Sequence, residues 1–325
     1  MPGMSALPTG WTIRRPTLDD VPRILELVHA SDIAAVGEPD FSADEVREEL
    51  TGPNTDMSRD SWLAFDEAGR LAGWAYPRNH TGQARDFLEV YVWPERGLPA
   101  QRPLLDLIMA RMAGRAAELG HDVYTVRAGA IPNETAYIEA LTAAGFTFLK
   151  QHARMRMPLA GVPAEAPAPP VGVTIRAVRH DDDGEMRRFH AIIEEAFQDS
   201  DHPSMAYEDW RRQFEGDSTV AYDEWFVAWA DGEVAGVLQS TGPEDDGDEA
   251  WVRYLAVLRP YRKRGIGEAL LRRAFAAYAA KGRPQVGLGV DMANPTEAAR
   301  LYRKVGMTPL YRANVYQTTV TAARS

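Results

Sequence analysis

Tyr254-Leu-Ala-Val-Leu-Arg-Pro-Tyr-Arg-Lys-Arg-Gly-Ile-Gly-Glu-Ala-Leu-Leu271 is the stretch that decides how this chain reads. It begins as an apolar strand, turns through the basic residues Arg262, Lys263 and Arg264, and opens a helix at Gly265 and Gly267. Along that helix Ile266, Leu270, Leu271, Ala274, Phe275 and Tyr278 recur at amphipathic spacing. A strand that feeds a basic, glycine-marked helix start is an anion cradle. The first N–H groups of a helix have no intrahelical acceptor, the dipole is positive there, and glycine lets phosphate oxygens approach the backbone. The glycine spacing fits neither a Rossmann fingerprint nor a Walker loop, and no Gly-Lys-Ser/Thr occurs here. The competing reading is two turn glycines beside a solvated charge run.

Working outward, the same unit is written twice. Trp11-Thr-Ile-Arg-Arg-Pro-Thr-Leu-Asp-Asp20 aligns with Val173-Thr-Ile-Arg-Ala-Val-Arg-His-Asp-Asp182 at an offset of 162, each a short strand before an acidic helix start. The predicted hairpins Trp62–Gly73 and Trp225–Gly236 match at an offset of 163. Val92-Trp-Pro94 and Leu258-Arg-Pro260 each precede a helix that ends near a glycine, Gly120 and Gly282, and Asn133 and Gly145 stand twelve apart, as do Asn294 and Gly306. Each copy reads strand, helices, hairpin, long strand, helix, strand, helix, strand, a mixed α/β unit of about 150 residues. Between the copies, residues 157–170 hold five prolines, which sustain neither a helix nor a central strand. The expected organisation is a domain over 1–157, a Pro/Ala-rich linker over 158–170 and a second domain over 171–325.

Composition narrows the function classes. The 325 residues are 45% hydrophobic and 26% charged, as in globular proteins. Net charge is −11, from 36 bases and 47 acids, which disfavours nucleic acid and favours a cationic amine. Residues 1–170 carry 16 bases and 23 acids (net −7) and the remainder 20 and 24 (net −4). There is no cysteine, hence no disulfide framework, thiolate metal site or cysteine nucleophile, and the expected compartment is the cytoplasm. Met1–Gly10 has neither a basic leader nor an apolar core, and no run approaches the ~18 apolar residues of a membrane span.

The Arg-x-x-Gly-x-Gly loop, followed by Asn294-Pro-Thr-Glu-Ala-Ala-Arg-Leu-Tyr-Arg-Lys-Val-Gly-Met307, resembles the GCN5-related N-acetyltransferase (GNAT) family. Met307 stands where that family usually has Phe. The tandem arrangement resembles actinobacterial two-domain acetyltransferases of the mycothiol synthase type. The resemblance implies an α/β fold of two tandem domains, each a mixed, mostly antiparallel sheet flanked by helices. It also implies acetyl-CoA as co-substrate and no metal. Its pyrophosphate would sit on Arg262, Lys263, Arg264, Gly265, Ile266 and Gly267, and its pantetheine arm would pair with backbone groups of Leu255, Ala256 and Val257. An N–H near Val257 would polarise the thioester carbonyl. Asn294, Ala298 and Tyr302 would line the pantetheine, with Tyr302 as the acid that protonates the departing thiolate; a phenol is protonated at neutral pH and can donate to a thiolate. Other readings stand beside these: Asn294-Pro295 is a good helix start in its own right, and Tyr302 fits an amphipathic core position.

The first copy lacks this equipment. With Pro94 aligned to Pro260, Pro99 and Gln101 replace Gly265 and Gly267, and Leu141 replaces Tyr302. Residues 1–157 are therefore expected to form a non-catalytic GNAT-like domain. For the base, Glu249 is the candidate carried forward, since an unbroken strand would place it on one face with Trp251, Arg253, Leu255 and Val257; its rival reading is the end of the acidic loop Glu244–Glu249. Asp291 and His202 are alternatives. Tyr207, Trp210 and Phe214 have helical spacing and read as core, or as a wall for an amphipathic amine. The expected reaction is acetyl transfer to the amine of a small molecule, in a monomer or homodimer that engages neither nucleic acid nor membrane. Alternatives are a protein or peptide N-acetyltransferase and an acyl-CoA-binding sensor.

Overall fold

The computed structural model describes residues 5–39, 41–79, 82–198, 204–215, 220–241, 249–292 and 298–322. Two compact units emerge, one of residues 1–152 with 311–325 and the other of residues 153–310. Among the described residues no helix is long and apolar enough to cross a membrane.

In the N-terminal unit the order is β1 (Thr12–Arg14), α1 (Val21–Val36), α2 (Ala43–Thr51), α3 (Met57–Asp60), β2 (Trp62–Phe65), β3 (Leu71–Arg78), β4 (Arg85–Val92), α4 (Leu98–Glu118), β5 (Val123–Ala130), α5 (Thr135–Ala143) and β6 (Thr147–Pro158). The strands β1 to β4 are antiparallel neighbours, and β4 pairs in parallel with β5. Alternation along β4 sends Leu88 and Val90 to a core under α4, while Tyr91 packs toward α1 and α2. The α4 face is pinned by Arg115, which donates to Asp86 at 2.7 Å and to Asp60 at 2.6 Å. All three are buried, so removing one partner would strand a charge.

The C-terminal unit repeats the plan with β7 (Val173–Ala177), α6 (Asp183–Phe197), α7 (Tyr207–Arg212), β8 (Phe226–Ala230), β9 (Glu233–Thr241), β10 (Glu249–Val257), α8 (Ile266–Ala280), β11 (Gln285–Asp291), α9 (Ala298–Lys304) and β12 (Thr308–Thr321). Here β7 to β10 are antiparallel and β10 pairs in parallel with β11. The repeated Thr-Ile-Arg has a shared purpose. Arg14 grips Asp20 with both guanidinium nitrogens at 2.6–2.7 Å, and Arg176 grips Glu185 at 2.7 Å, each tying the first strand to the helix that follows it.

The domain boundaries differ from those expected. Asn314 to Thr321 of β12 pair residue by residue with Ala130 to Val123 of β5, which assigns the end of the chain to the N-terminal unit. Conversely Ala153, Met155 and Met157 of β6 lie in the core of the C-terminal unit. Each half of the sequence thus ends in a strand that completes the other unit's sheet. Strand periodicity fixes which face is buried but not which sheet edge the strand joins, so the sequence places the cut wrongly.

Candidate active site

The β10–β11 ladder runs over three residues, Glu249↔Gln285 to Trp251↔Gly287, and among the described residues goes no further. Both strands continue, β10 to Val257 and β11 to Asp291, so a slot opens between them. A bulge in the β9–β10 pairing between Val252 and Tyr254 marks the point of divergence. The extra residue turns the strand over: Ala250 and Val252 face the α8 core, whereas Ala256 faces the α6 core and Leu255 and Val257 pack against the α8 core. Glu249 and Trp251 consequently do not share a face with Leu255 and Val257, as an unbroken strand would require.

At the end of β10 the chain enters the basic loop. Lys263 has φ 63° and Gly265 φ 80°, so Gly265 occupies a left-handed conformation at the cap of α8 that a side chain would strain. Gly267 is required for space, since a Cβ there would stand 3.2 Å from Leu301 Cδ2. Among the described residues no hydrogen bond ends on the backbone N–H groups of Lys263 to Glu268, and Gly265 offers no side-chain cap. The first bond of the helix runs from Ala269 N–H to the Gly265 carbonyl at 3.0 Å. A row of unpaired donors at the positive end of a 15-residue helix fits a diphosphate.

The basic side chains divide their work in a way that their sequence does not reveal. Arg262 donates from Nε to the Val257 carbonyl at 3.0 Å and from Nη2 to the Ala196 carbonyl at 3.4 Å, latching the loop to the end of β10 and to α6. Arg264 pairs with Asp231 at 2.6 Å and lies over the Tyr261 ring. Lys263 is exposed.

Leu255, Val257, Ile266, Ala298 and Tyr302 come together in one apolar cluster. Gly267 packs against Leu301, Val257 and Leu255, which brings the helix start, the slot and α9 to one place. Tyr302 is buried there, and burial pushes its hydroxyl up to about 12, so it holds its proton at neutral pH. Asn294 lies outside the described residues, as do His202 and residues 244–248. Glu249 is not brought to this cluster. It sits at the paired end of β10, about 26 Å of strand from Val257. Its carboxylate accepts from Arg154 Nη2 at 2.5 Å and Arg156 Nε at 2.8 Å, while Arg154 stacks on Trp251.

On the α6 side of the sheet Trp210 is core, packed among Phe189, Phe214 and Trp225. Sequence reasoning missed Gln239, opposite Tyr254 at the bulge. Its side chain is fully buried with neither amide atom bonded, and the hydroxyl of Thr241 and the indole N–H of Trp210 are likewise unsatisfied. A lone Gln inside an apolar strand was the only signal available.

Residues 186–307 match the acetyltransferase (GNAT) family. By that match, which lies within its C-terminal unit, this chain is similar to the family. It is an acyltransferase of the kind that uses acetyl-CoA, and among the described residues no His/Asp/Glu group is placed to hold a metal. Over its whole length it is similar to a GCN5-related N-acetyltransferase from Sphaerobacter thermophilus, with 26% identity, 98% of this chain and 99% of that one covered, and a TM-score of 0.84. A tandem GNAT protein from the clavulanic acid biosynthesis pathway shares the fold at 18% identity, 97% and 99% coverage and a TM-score of 0.67. So does Saccharomyces cerevisiae N-myristoyltransferase, whose structure holds myristoyl-CoA, at 9% identity, 99% and 81% coverage and a TM-score of 0.60. A comparison with curated proteins finds no match.

Proposed function

We propose that the C-terminal unit transfers an acetyl group from acetyl-CoA to the primary amine of a small molecule by direct attack. The observation that carries this reading is the continuity of three features: the unpaired amides of Lys263–Glu268, the slot beyond Trp251↔Gly287, and the buried Tyr302 hydroxyl beside it. Acetyl-CoA would supply an activated thioester. The amides of the loop, including those of Gly265, Ile266 and Gly267, hold its diphosphate, with Lys263 adding charge. Leu255 and Val257 flank the pantetheine through backbone groups and apolar side chains, and Ala256 contributes backbone alone. Asn294 and Ala298 complete the wall. An N–H near Val257 stabilises negative charge on the carbonyl oxygen, and Tyr302 donates its proton to the departing sulfur.

Glu249, gripped by Arg154 and Arg156 far along β10, is assigned here a positioning role rather than that of base. Amine deprotonation then falls to solvent reached through the α6 side, where the unbonded Gln239 amide is suited to orient a polar acceptor. An acidic protein attracts an ammonium substrate, which favours an amine over an anionic acceptor. The N-terminal unit is assigned no catalytic role.

The test is thiol release from acetyl-CoA with a library of small amines and of peptides, comparing the wild type with Tyr302→Phe. Turnover on small amines that falls in Tyr302→Phe without loss of acetyl-CoA binding is the expected result. Turnover on peptides alone would reassign the acceptor class. Tight binding of acetyl-CoA with no turnover on any acceptor would make the protein a sensor.

A further inference from the structure

The slot between β10 and β11 is shut on one face and open on the other. Ahead of the bulge, Ala250 and Val252 pack into the core under α8, as do Val286, Leu288 and Val290 of β11, and all of them are buried. Strand positions alternate between faces, so Gly287 and Gly289 of β11 belong to the α6 face, as Trp251 of β10 does. On that face Trp251 covers Gly287: a Cβ there would stand 2.7 Å from Trp251 Cζ3 and 2.8 Å from Glu249 Oε1. Packing therefore requires glycine at 287. Beyond the bulge Tyr254 packs into the α6 core, edge-on to Phe197.

Gly289 is different. It is exposed, its backbone is not left-handed, and among the described residues a Cβ on it would meet nothing within 4 Å. Neither conformation nor packing asks for glycine there, and a strand interior favours a side chain over glycine. A glycine in such a position marks a place where another molecule comes close to the backbone. Gly289 lies two residues past Gly287, the last rung of the β10–β11 ladder, so it stands on the bank of the slot where the strands part. By the same register it is level with the bulge, where Tyr254 faces Gln239.

We infer that the acceptor amine reaches the thioester from the α6 face by passing over the bare backbone of Gly289. This rests on the acetyl-CoA reading given under the proposed function. With the diphosphate on the loop beyond Val257, the thioester end points down the slot toward its closed end at Trp251↔Gly287, and Gly289 borders that end. The buried side chains of β10 and β11 close the α8 face, so the α6 face is the side left for attack. On the β10 bank of that face Trp251 and Tyr254 carry bulky rings. On the β11 bank a side chain at 289 would stand in the path, and glycine leaves it clear. The position sets the width of the approach rather than any bond to the acceptor, and it admits an amine whose carbon body can lie against backbone.

The chain contains no cysteine, so Gly289→Cys carries a unique thiol, and Thr174→Cys, at an exposed position of β7, is its control. Each full-length variant is incubated with acetyl-CoA at about pH 8, where a free thiol is partly thiolate, and followed by intact mass. A thiolate beside the thioester attacks its carbonyl carbon; a new C–S bond forms, the bond to the coenzyme A sulfur breaks, and coenzyme A leaves as its thiol with the proton that the cysteine gave up. The expected result is one acetyl group gained by Gly289→Cys about tenfold or more faster than by Thr174→Cys, since proximity replaces a collision. The melting temperature of Gly289→Cys is expected to equal or exceed that of the wild type, and N-ethylmaleimide to alkylate its thiol when acetyl-CoA is absent. A lower melting temperature, or a thiol closed to N-ethylmaleimide, overturns the proposal by showing that the space is filled. Loss of acetyl-CoA binding in Gly289→Cys alone overturns it too, by giving that space to the co-substrate. Equal acetylation of the two variants, with acetyl-CoA bound as in the wild type, overturns it while leaving the cradle standing; a wild type that does not bind acetyl-CoA overturns both.

Discussion

The helix after the parallel-paired strand begins four residues beyond Pro94 in the N-terminal unit and six residues beyond Pro260 in the C-terminal unit. Those two residues separate a closed loop from an open one. In the short loop the N–H groups of Arg96, Gly97 and Leu98 are spent on the carbonyls of Pro94, Trp93 and Glu95, and Pro99 has none to give. A Cβ on Gly97 would stand 2.3 Å from the Ala72 carbonyl oxygen, so the turn is packed against backbone with no space for a ligand oxygen. In the longer loop the N–H groups stay unspent, at the cost of left-handed backbone at Lys263 and Gly265. The comparison teaches that an anion site is kept by leaving donors unpaired, and is lost as soon as a tighter turn pairs them.

The comparison can be broken most sharply at Tyr302. Its counterpart by alignment, Leu141, has no acid function, so Tyr302→Phe should lower kcat by about 10²–10⁴-fold, the usual worth of a positioned general acid, while acetyl-CoA affinity changes little. Steady-state turnover alongside equilibrium binding checks both halves of that statement. Next in size is the cradle. Gly267→Val should cost acetyl-CoA binding about 100-fold, because its side chain meets Leu301 and occupies the approach to the amides, whereas Gln101→Ala at the aligned position should leave binding unchanged. A matched loss in both variants would erase the distinction drawn between the units.

Smaller effects separate two carboxylates, one in each unit. Glu89 is raised to about 7 by burial among other carboxylates, from an ordinary value near 4.5. The folded state thus binds an extra proton between those values, and stability should fall as pH climbs from about 4.5 through about 7. Glu89→Gln should flatten that fall and raise stability at about pH 8 by up to about 3 kcal/mol, read from denaturant unfolding at several pH values. Glu185 behaves with the opposite sign. Despite burial, hydrogen bonds from Arg176 and from Arg179 hold it at about 2. Its contribution is present above about 4.5 and disappears as pH falls toward about 2. Glu185→Gln should cost about 1–2 kcal/mol at neutral pH, discounted because both arginines are partly exposed, and almost nothing near pH 2.

Much of this molecule was legible in local spacing. The duplication followed from four ordered matches, the helix ends from Gly120 and Gly282, both in left-handed conformation, and the cradle from basic residues before two glycines. Trp210 is core, as helical spacing with Tyr207 and Phe214 suggested. Other features escaped because they depend on a partner distant in sequence. Arg262 read as a phosphate ligand, yet the Val257 and Ala196 carbonyls claim it. Glu249 read either as sharing a strand face with Leu255 and Val257 or as the end of an acidic loop; one extra residue in β10 separates those faces, and two arginines from β6 hold it.

What the sequence determined by itself was therefore everything set by neighbours a few residues away: two copies of one α/β unit, an open helix start in the second copy, and its loss in the first. Backbone conformation and unpaired helix donors are local matters, and local residues dictate them. Tertiary structure alone decided the exchange of β6 and β12 between the units and the reversal of face at the β10 bulge. It also set the buried Tyr76 opposite Glu89 across the β3–β4 ladder. Strand pairing and burial are chosen among many alternatives that are equally good locally, and only the packed whole ranks them.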